Sequence, residues 1–295
     1  MFIPNLCPKN EKEFKIRENA VRMAVKDFAE NAEQLIMDNI TATGLIEDGG
    51  INPYMAKALN FENIEETLDF FISRRAERSL GTSFGSTLER YILELTGGKS
   101  CKQLYPICRK KIPQKDKPWC CWWDVIVDTE LFEEDGKKYK GLALAVKSGP
   151  SSMNSDMVKK FVDHAKEAQS KDYRPYLIFT YGKSAFSTIG STLESKGFKP
   201  EKYVRIGQAI FEEFFNEPQY YKKSLKLFEE GGFDKKISDL IEKKKNEVIK
   251  ELKEKYSNDL GELLEATLKK ELISSTVDET IDDTEKVQQN KLQVT

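Results

Sequence analysis

Two strand-like segments joined by a short turn constrain this chain more than any other stretch of its sequence. Residues 122–129 (WWDVIVDT) and 139–148 (YKGLALAVKS) are rich in β-branched and aromatic side chains, which favour extended strands. Between them, residues 134–137 (EDGK) contain an Asp-Gly pair that is typical of a two-residue turn. The sequence therefore predicts an antiparallel β-hairpin near the middle of the chain.

Apolar residues at helical spacing predict helices on both sides of this hairpin. Before it, the pattern indicates helices over about 14–41, 64–78 and 83–95, and after it over about 155–169. A short apolar run at 176–181 (YLIFTY) predicts a third strand. The order helix, strand, strand, helix, strand favours an α/β (α+β) fold with a small mixed central sheet flanked by helices.

The rest of the chain is predicted to be mainly helical. The stretch VRIGQAIFEEFF resumes helical character after a short edge strand, and a lysine- and glutamate-rich helical region follows it. The final residues are polar and are expected to be disordered. The predicted domains are a helical N-terminal region at 1–78, a core at 79–216, a helical C-terminal region at 217–272 and a tail at 273–295.

Composition limits the class of protein. The chain has 295 residues, of which 39% are hydrophobic, so it is long and apolar enough to bury a sizeable globular core. Its formal net charge is −2, so any binding to nucleic acid must depend on local positive charge. The sequence shows no apolar run long enough for a bilayer and no signal peptide, so we expect a cytoplasmic protein with no membrane partner.

The cysteine pattern favours reduced thiols over a disulfide framework. Their number is odd and the chain is large, and no Cys-x-x-Cys pair marks a zinc site. The five cysteines are Cys7, Cys101, Cys108, Cys120 and Cys121.

The predicted hairpin brings charged side chains together. Side chains alternate across a strand, so Asp124 and Asp128 share one face of the first segment. In the second segment Lys147 shares a face with Ala143 and Ala145, whose small side chains leave room beside the charges. Charges among apolar strands require a partner or a metal ion. From the spacing alone, an ordinary Asp–Lys ion pair is the preferred interpretation.

A resemblance to a known family changes that preference. The run from Asp124 to Pro150, D-x(20)-A-V-K-S-G-P, resembles the catalytic hairpin of the PD-(D/E)XK nucleases. The stretches WWDVIVD and AVKSGPSSMNSD are similar to those of type II restriction endonucleases that cut interrupted GG-N-CC-type sites. VRIGQAIFEEFF is similar to a stretch that follows the core in the same group, and the resemblance covers residues 83–216. It implies a restriction-endonuclease-like core that hydrolyses double-stranded DNA with Mg²⁺.

The resemblance also implies roles for individual residues. Asp124 is expected to be the central metal ligand, and Lys147 is expected to position or activate the attacking water and to offset phosphate charge. The family usually has an acidic residue two positions before the lysine, where this chain has Ala145. Either the chain is an inactivated variant, or a carboxylate from Asp128 or Glu89 completes the metal site. In the second case the backbone carbonyl of Ala145 still faces the metal.

Glu89 has two interpretations that the sequence leaves open. It lies on the helix before the hairpin, where family members often place a metal-facing glutamate. It also ends the pattern S-x-x-E that begins at Ser86, which is typical of a capping box at a helix N-terminus. Glu94 is the weaker alternative and is expected to be a solvated helix residue. His164, the single histidine, is expected to be a partly exposed helix residue, which leaves no histidine-based nuclease centre or serine–histidine triad.

Several polar and basic residues are predicted to contact DNA. Two basic clusters suit phosphate contacts: Arg109, Lys110, Lys111, Lys115 and Lys117 form one, and Arg74, Arg75 and Arg78 form the other. Ser148, Asn154 and Ser155 follow the lysine of the hairpin and are predicted to touch the DNA backbone or a base edge. They are equally suited to a turn and to the N-cap of the next helix.

The expected partners follow from the resemblance. A palindromic DNA site requires a symmetric homodimer with one active site for each strand. A restriction system also includes a cognate DNA methyltransferase, without implying direct contact. Two alternatives remain: a repair or recombination nuclease with little sequence preference, and a catalytically dead DNA-binding relative.

Overall fold

A computed structural model describes residues 5–105, 117–149, 152–182, 184–216, 219–232 and 236–273. The chain forms two compact units, one of Met1–Glu30 with Thr82–Phe233 and the other of Asn31–Gly81 with Asp234–Thr295. The first unit contains the predicted core at 79–216 almost entirely, together with residues that were predicted to belong to separate helical regions. Apart from residue 273, the predicted tail lies outside the described residues. No helix in the described part of the chain has an apolar stretch that could cross a bilayer.

Helices and strands follow one another in the order predicted around the hairpin. In the described residues the elements are α1 (Glu11–Asn39), α2 (Ala42–Ile46), α3 (Pro53–Ala58), α4 (Ile64–Thr96), α5 (Cys101–Leu104), a 3₁₀ turn (Trp119–Trp122), β1 (Val125–Glu134), β2 (Lys137–Lys147), α6 (Ser155–Ser170), β3 (Tyr173–Phe179), α7 (Ser184–Glu194), α8 (Pro200–Tyr203), β4 (Val204–Ile206), α9 (Gln208–Phe215), α10 (Gln219–Gly231), α11 (Ile237–Lys255) and α12 (Leu260–Ile273).

The four strands form one mixed sheet in the order β1-β2-β3-β4. Strands β1 and β2 are antiparallel, with Val125 opposite Leu144, while β2 pairs with β3 and β3 with β4 in parallel. The hairpin turn is formed by Asp135 and Gly136, whose φ angles of 52° and 75° are typical of the tight turn that the Asp-Gly pair predicts. Helix α6 is the crossover that parallel strands require. The prediction of a small mixed sheet flanked by helices is confirmed.

Each face of the sheet packs against its own set of helices. One face packs with α4, α9 and α10, and the other packs with α6 and α7. Ala143 and Ala145 are fully buried on the second face, in the same cluster as Phe161 and Ala165 of α6. Their small side chains therefore make room for a helix. The prediction that they leave space beside the charged residues is wrong.

Helix α4 is longer than the sequence indicated. Two helices were predicted over 64–78 and 83–95, but one helix runs from Ile64 to Thr96. Gly81 and Gly85 lie inside it, and each costs only about 1 kcal/mol relative to alanine. Ser86 consequently lies in the middle of a helix and not at its start. The capping-box interpretation of Glu89 is therefore wrong.

The second unit has its own apolar core. Arg75, which was predicted to contact phosphate, forms hydrogen bonds to the backbone of this unit. The Arg75 guanidinium donates hydrogen bonds to the carbonyl oxygens of Asn39, at 2.6 Å, and Gly44, at 2.8 Å. It therefore holds the turn between α1 and α2. Its neighbour Arg74 donates to the sulfur of Met55 at 3.0 Å. The structure thus gives both side chains a local structural role.

A disulfide joins two of the clustered cysteines. Cys101 in α5 is bonded to Cys120 in the 3₁₀ turn, with their Cα atoms 5.4 Å apart, and the sulfur of Cys121 lies 3.5 Å from that of Cys101. The prediction of reduced thiols is therefore wrong for this pair, because the fold brings together two cysteines that are 19 positions apart. Cys108 lies outside the described residues. The bond ties α5 to the turn that leads into β1.

Candidate active site

Asp124 and Lys147 meet at one end of the hairpin. Asp124 immediately precedes β1 and Lys147 ends β2, so the antiparallel pairing brings them to the same edge of the sheet. The Lys147 ammonium lies 3.5 Å from a carboxylate oxygen of Asp124, and only 17% and 21% of the two side chains are exposed. The sequence predicted this juxtaposition, and the structure shows it.

The Asp124 carboxylate is held by the backbone of β2. The Val146 N–H donates to its Oδ2 atom at 2.7 Å, and the Asp124 N–H donates to the Leu144 carbonyl at 3.0 Å. Burial raises the pKa of Asp124, and the Lys147 charge and the Val146 N–H act in the opposite direction. A fixed, partly desolvated carboxylate of this kind gains stability from an added positive charge.

Glu89 on α4 is the second carboxylate of the site. It shares a cleft of about 510 Å³ with Asp124, and the other residues lining this cleft are Ser86, Arg90, Leu93, Glu94, Ser100, Lys102 and Gln103. Although Glu89 as a whole residue is exposed, desolvation raises the pKa of its carboxyl group to about 7. The charge of Asp124 acts in the same direction, and those of Lys147 and Lys102 oppose it. Glu89 and Asp124 therefore repel each other when both are ionised.

The backbone carbonyl beside Asp124 belongs to Val146. Carbonyl groups alternate along a strand, and the Leu144 carbonyl points towards β1, where it accepts from Asp124. The Ala145 carbonyl therefore points towards β3, and the Val146 carbonyl points towards β1 again. The Lys147 ammonium donates to the Val146 carbonyl at 2.9 Å. The prediction that the Ala145 carbonyl faces the site is therefore wrong, and the carbonyl of the next residue, Val146, takes that place.

Asp128, the other predicted substitute carboxylate, is not brought into this cleft. It lies four positions further along β1 than Asp124, which corresponds to roughly 13 Å of strand. Its side chain is exposed and accepts a hydrogen bond from the Tyr173 hydroxyl at 2.6 Å. Of the two candidates, only Glu89 lies beside Asp124.

The predicted DNA contacts occupy different surroundings. Asn154 is the N-cap of α6, where its side chain accepts from the Met157 N–H at 2.9 Å, and Ser155 is the exposed first residue of that helix. The Ser148 carbonyl accepts from the Thr180 hydroxyl at 2.7 Å. The turn and N-cap interpretation therefore describes Asn154. Lys117 is exposed, and Arg109, Lys110, Lys111 and Lys115 lie outside the described residues.

Sequence reasoning missed the contribution of α5 to the cleft. Ser100, Lys102 and Gln103 all line it, and none of them follows the hairpin pattern. One available sign was the S-x-x-Q spacing of Ser100 and Gln103, which forms a capping box at the start of α5. His164 is partly exposed on α6, as predicted, where its ring stacks on that of Trp122 with centroids 5.1 Å apart.

The side chains at the cleft fit a small hard cation. Among the described residues, no three His, Cys, Asp or Glu side chains form a metal-binding group. Mg²⁺ does not need one, because it is usually held by one or two carboxylates, with phosphate oxygens and water completing its shell. Asp124 and Glu89 supply two carboxylates with mutual repulsion that a cation relieves. The donor set is therefore compatible with Mg²⁺ and poorly suited to zinc.

Comparison with known proteins gives no independent assignment. No protein-family model matches the sequence, and no curated protein matches it significantly. An interpretation of the site must therefore come from its chemistry.

Proposed function

We propose that this chain is a Mg²⁺-dependent type II restriction endonuclease that hydrolyses phosphodiester bonds of double-stranded DNA through a PD-(D/E)XK core. The observation that supports the proposal most is the convergence of three side chains at one end of the sheet. Asp124 lies just before β1, Lys147 ends β2 and Glu89 lies on α4. The charges of Asp124 and Lys147 both act on the pKa of Glu89, and the charge of Lys147 acts on that of Asp124. The acid, amine and second acid required by such a nuclease are thus close together without an acidic residue at position 145.

The three residues have separate tasks in this proposal. Asp124 and Glu89 would hold Mg²⁺, and the Val146 carbonyl would be a further oxygen donor. When bound, Mg²⁺ offsets the negative charge of the phosphate and makes water a better nucleophile. Lys147 donates hydrogen bonds to the attacking water or to a phosphate oxygen, and its ammonium stabilises the charge that builds up there. The Val146 N–H keeps the Asp124 carboxylate turned towards the cleft.

The partners and location are part of the same proposal. A homodimer would present one active site to each strand of a G/C-rich, interrupted and symmetric DNA site. A cognate methyltransferase would protect the host DNA, and the enzyme would act in the cytoplasm. Disulfides are rare in the cytoplasm, whereas the structure joins Cys101 to Cys120. Thiol titration of protein isolated under anaerobic conditions shows whether this bond is present in the cell, and a fully formed bond would argue against a cytoplasmic location.

A catalytically dead DNA-binding relative is the second candidate. The observation that favours it is Ala145, which stands where the family usually has an acidic residue. A repair nuclease with little sequence preference differs only in where it cuts. Digestion of a plasmid with Mg²⁺, followed by sequencing of the ends, separates the three. We expect ends at one recurrent sequence; ends at many sequences favour the repair nuclease, and intact plasmid favours the dead relative.

Replacing Ala145 with glutamate should strengthen metal binding. Val125 pairs with Leu144, whose carbonyl also accepts from the Asp124 N–H, and the Val146 N–H donates to the Asp124 carboxylate, so residue 145 lies between the two residues of β2 that contact Asp124. Ala145→Glu therefore adds a carboxylate near Asp124, at a cost in stability without metal because residue 145 is buried against α6. We expect Mg²⁺ to raise the Tm of this variant several degrees more than that of the original chain, together with faster DNA cleavage.

The matched control is Ala143→Glu. Residue 143 is on the same face, equally buried and in the same cluster against α6, but it is opposite Ile126 and further along β2 from Asp124. Its carboxylate should destabilise the protein without any gain in Mg²⁺ response. Equal Mg²⁺ responses of the two variants would contradict the placement of the metal beside Asp124.

Glu89 should make the stability of the metal-free protein depend on pH. Its pKa is about 7 in the folded chain, compared with an ordinary value of 4.5, so the folded state retains a proton that the unfolded state has lost. The free energy of unfolding should then decrease as pH rises from about 4.5 to about 7. Glu89→Gln should remove this part of the decrease, so the Tm of the variant should rise relative to the original between pH 5 and pH 8.

Thermal unfolding in a chelator at several pH values measures this effect. Glu94→Gln, which removes another carboxylate of the same cleft, is the control for loss of negative charge. A Tm difference between Glu89→Gln and the original chain that stays constant with pH would show that the Glu89 carboxyl is not desolvated.

A further inference from the structure

Helix α5 places one cation beside the two carboxylates of the cleft. Lys102 lines the cleft together with Asp124 and Glu89, and its side chain is exposed. Its charge lowers the pKa of Glu89, so the ammonium acts within electrostatic reach of that carboxyl group. An ammonium group cannot bind a metal ion, because the two cations repel each other. Lys102 is therefore suited to an anion that enters the cleft.

The other cation of the cleft wall is already engaged. Arg90 forms an ion pair with Asp27 at 2.6 Å, and its Nε atom lies 4.0 Å from Glu94. Lys102 takes part in none of the ion pairs between described residues. Lys102 is thus the lining residue whose charge is available to a ligand.

The segment that carries Lys102 is firmly attached to the hairpin. Lys99 and Ile126 exchange two backbone hydrogen bonds, each of 2.8 Å. The Gln103 side chain accepts from the Ser100 N–H at 2.7 Å, and the Cys101–Cys120 disulfide joins α5 to the turn before Asp124. The backbone of Lys102 is therefore held in a defined place relative to Asp124, as a residue that positions a substrate requires.

We propose that Lys102 binds a phosphate of the DNA backbone and positions the strand to be cut in the cleft. The proposal rests on the endonuclease function and adds a positioning residue to it. Asp124 and Glu89 repel a phosphodiester, and a lysine on the same wall offsets that repulsion. Such a contact is independent of base sequence, because it involves only the phosphate.

Binding of duplex DNA at several NaCl concentrations, with Ca²⁺ in place of Mg²⁺, tests the contact. We expect Lys102→Ala to lower affinity about tenfold at low salt and to reduce the slope of log affinity against log salt by about one. Lys102→Arg should restore both, since it keeps the charge. Lys99→Ala, three positions earlier and outside the lining of the cleft, should change neither.

The outcomes separate this inference from the function on which it rests. If the original chain cuts DNA and Lys102→Ala binds with the same affinity and salt slope as Lys99→Ala, the phosphate contact is wrong and the endonuclease remains. A loss of affinity that Lys102→Arg does not restore also overturns the contact, because it shows a structural effect. If the original chain neither binds nor cuts duplex DNA, both proposals fail.

Discussion

Replacing Asp124 with asparagine should slow Mg²⁺-dependent DNA cleavage by about a thousandfold, since a carboxylate that holds the metal is worth several kcal/mol in the transition state. The fold should survive the change. Asparagine has the same shape and can still accept the hydrogen bond from the Val146 N–H, which is 2.7 Å in the structure. Because burial raises the pKa of Asp124, loss of its charge also removes a desolvation cost. We therefore expect a Tm equal to or higher than that of the original chain.

Lys147→Met should slow cleavage to a similar degree, because it removes the positive charge beside the attacking water and not a ligand of the metal. The substitution keeps the aliphatic stem but removes the ammonium that lies 3.5 Å from Asp124. For the proposed endonuclease, DNA binding in Ca²⁺ should decrease far less than the cleavage rate, because protein–DNA affinity in general is the sum of many phosphate contacts and the substitution removes one of them. A plasmid-cleavage time course and a binding titration on the same preparation measure the two effects.

The matched control is Asp128→Asn, which removes a carboxylate from the same strand. Asp128 is exposed and bonded to Tyr173, so its loss should leave cleavage nearly unchanged. If Asp124→Asn and Lys147→Met both still cut DNA at the original rate, the active site has been assigned to the wrong residues. A slow Asp128→Asn variant would instead indicate that the metal site extends along β1.

The hairpin could be predicted from sequence because local signals agree there. β-Branched residues, an Asp-Gly turn and alternation all favour the same pairing, and pairing alone brings Asp124 to Lys147. Helix α4 shows where local signals fail. The apolar pattern predicted two helices over 64–78 and 83–95, whereas one helix runs through Gly81 and Gly85 and carries Glu89 into the cleft.

The remaining errors have the same physical origin, since they concern contacts between distant segments. The Cys101–Cys120 bond depends on how α5 returns to the start of β1, and no spacing rule gives that path. The burial of Ala145 depends on where α6 crosses the sheet. The position of Lys102 in the cleft depends on the same path of α5 that brings Cys101 to Cys120. Sequence patterns therefore identify the acid and the amine, and tertiary contacts supply the rest of the site.

Replacing Arg174 with methionine should have the largest effect on stability. Arg174 in β3 is 2% exposed and donates to both carboxylate oxygens of Glu134, at 2.5 and 3.0 Å, and to the Lys202 carbonyl at 2.8 Å. Its guanidinium also lies over the ring of Tyr203, 4.5 Å from the centroid. Without Arg174 the Glu134 carboxylate is left buried and unpaired, which costs about 3–5 kcal/mol. We expect the Tm to fall by about 10 °C.

Tryptophan fluorescence suits this measurement, because all three tryptophans, at positions 119, 122 and 123, belong to the unit that contains Arg174. Lys202→Ala is the control: its ion pair with Asp135 is at the surface, where solvent screens the charges, so its loss should change the Tm little. The double variant Arg174→Met/Glu134→Leu should recover most of the lost stability, because it leaves no charge unpaired. If the double variant is no more stable than Arg174→Met, the loss comes from the packing of the guanidinium between tyrosine rings, and the ion pair contributes little.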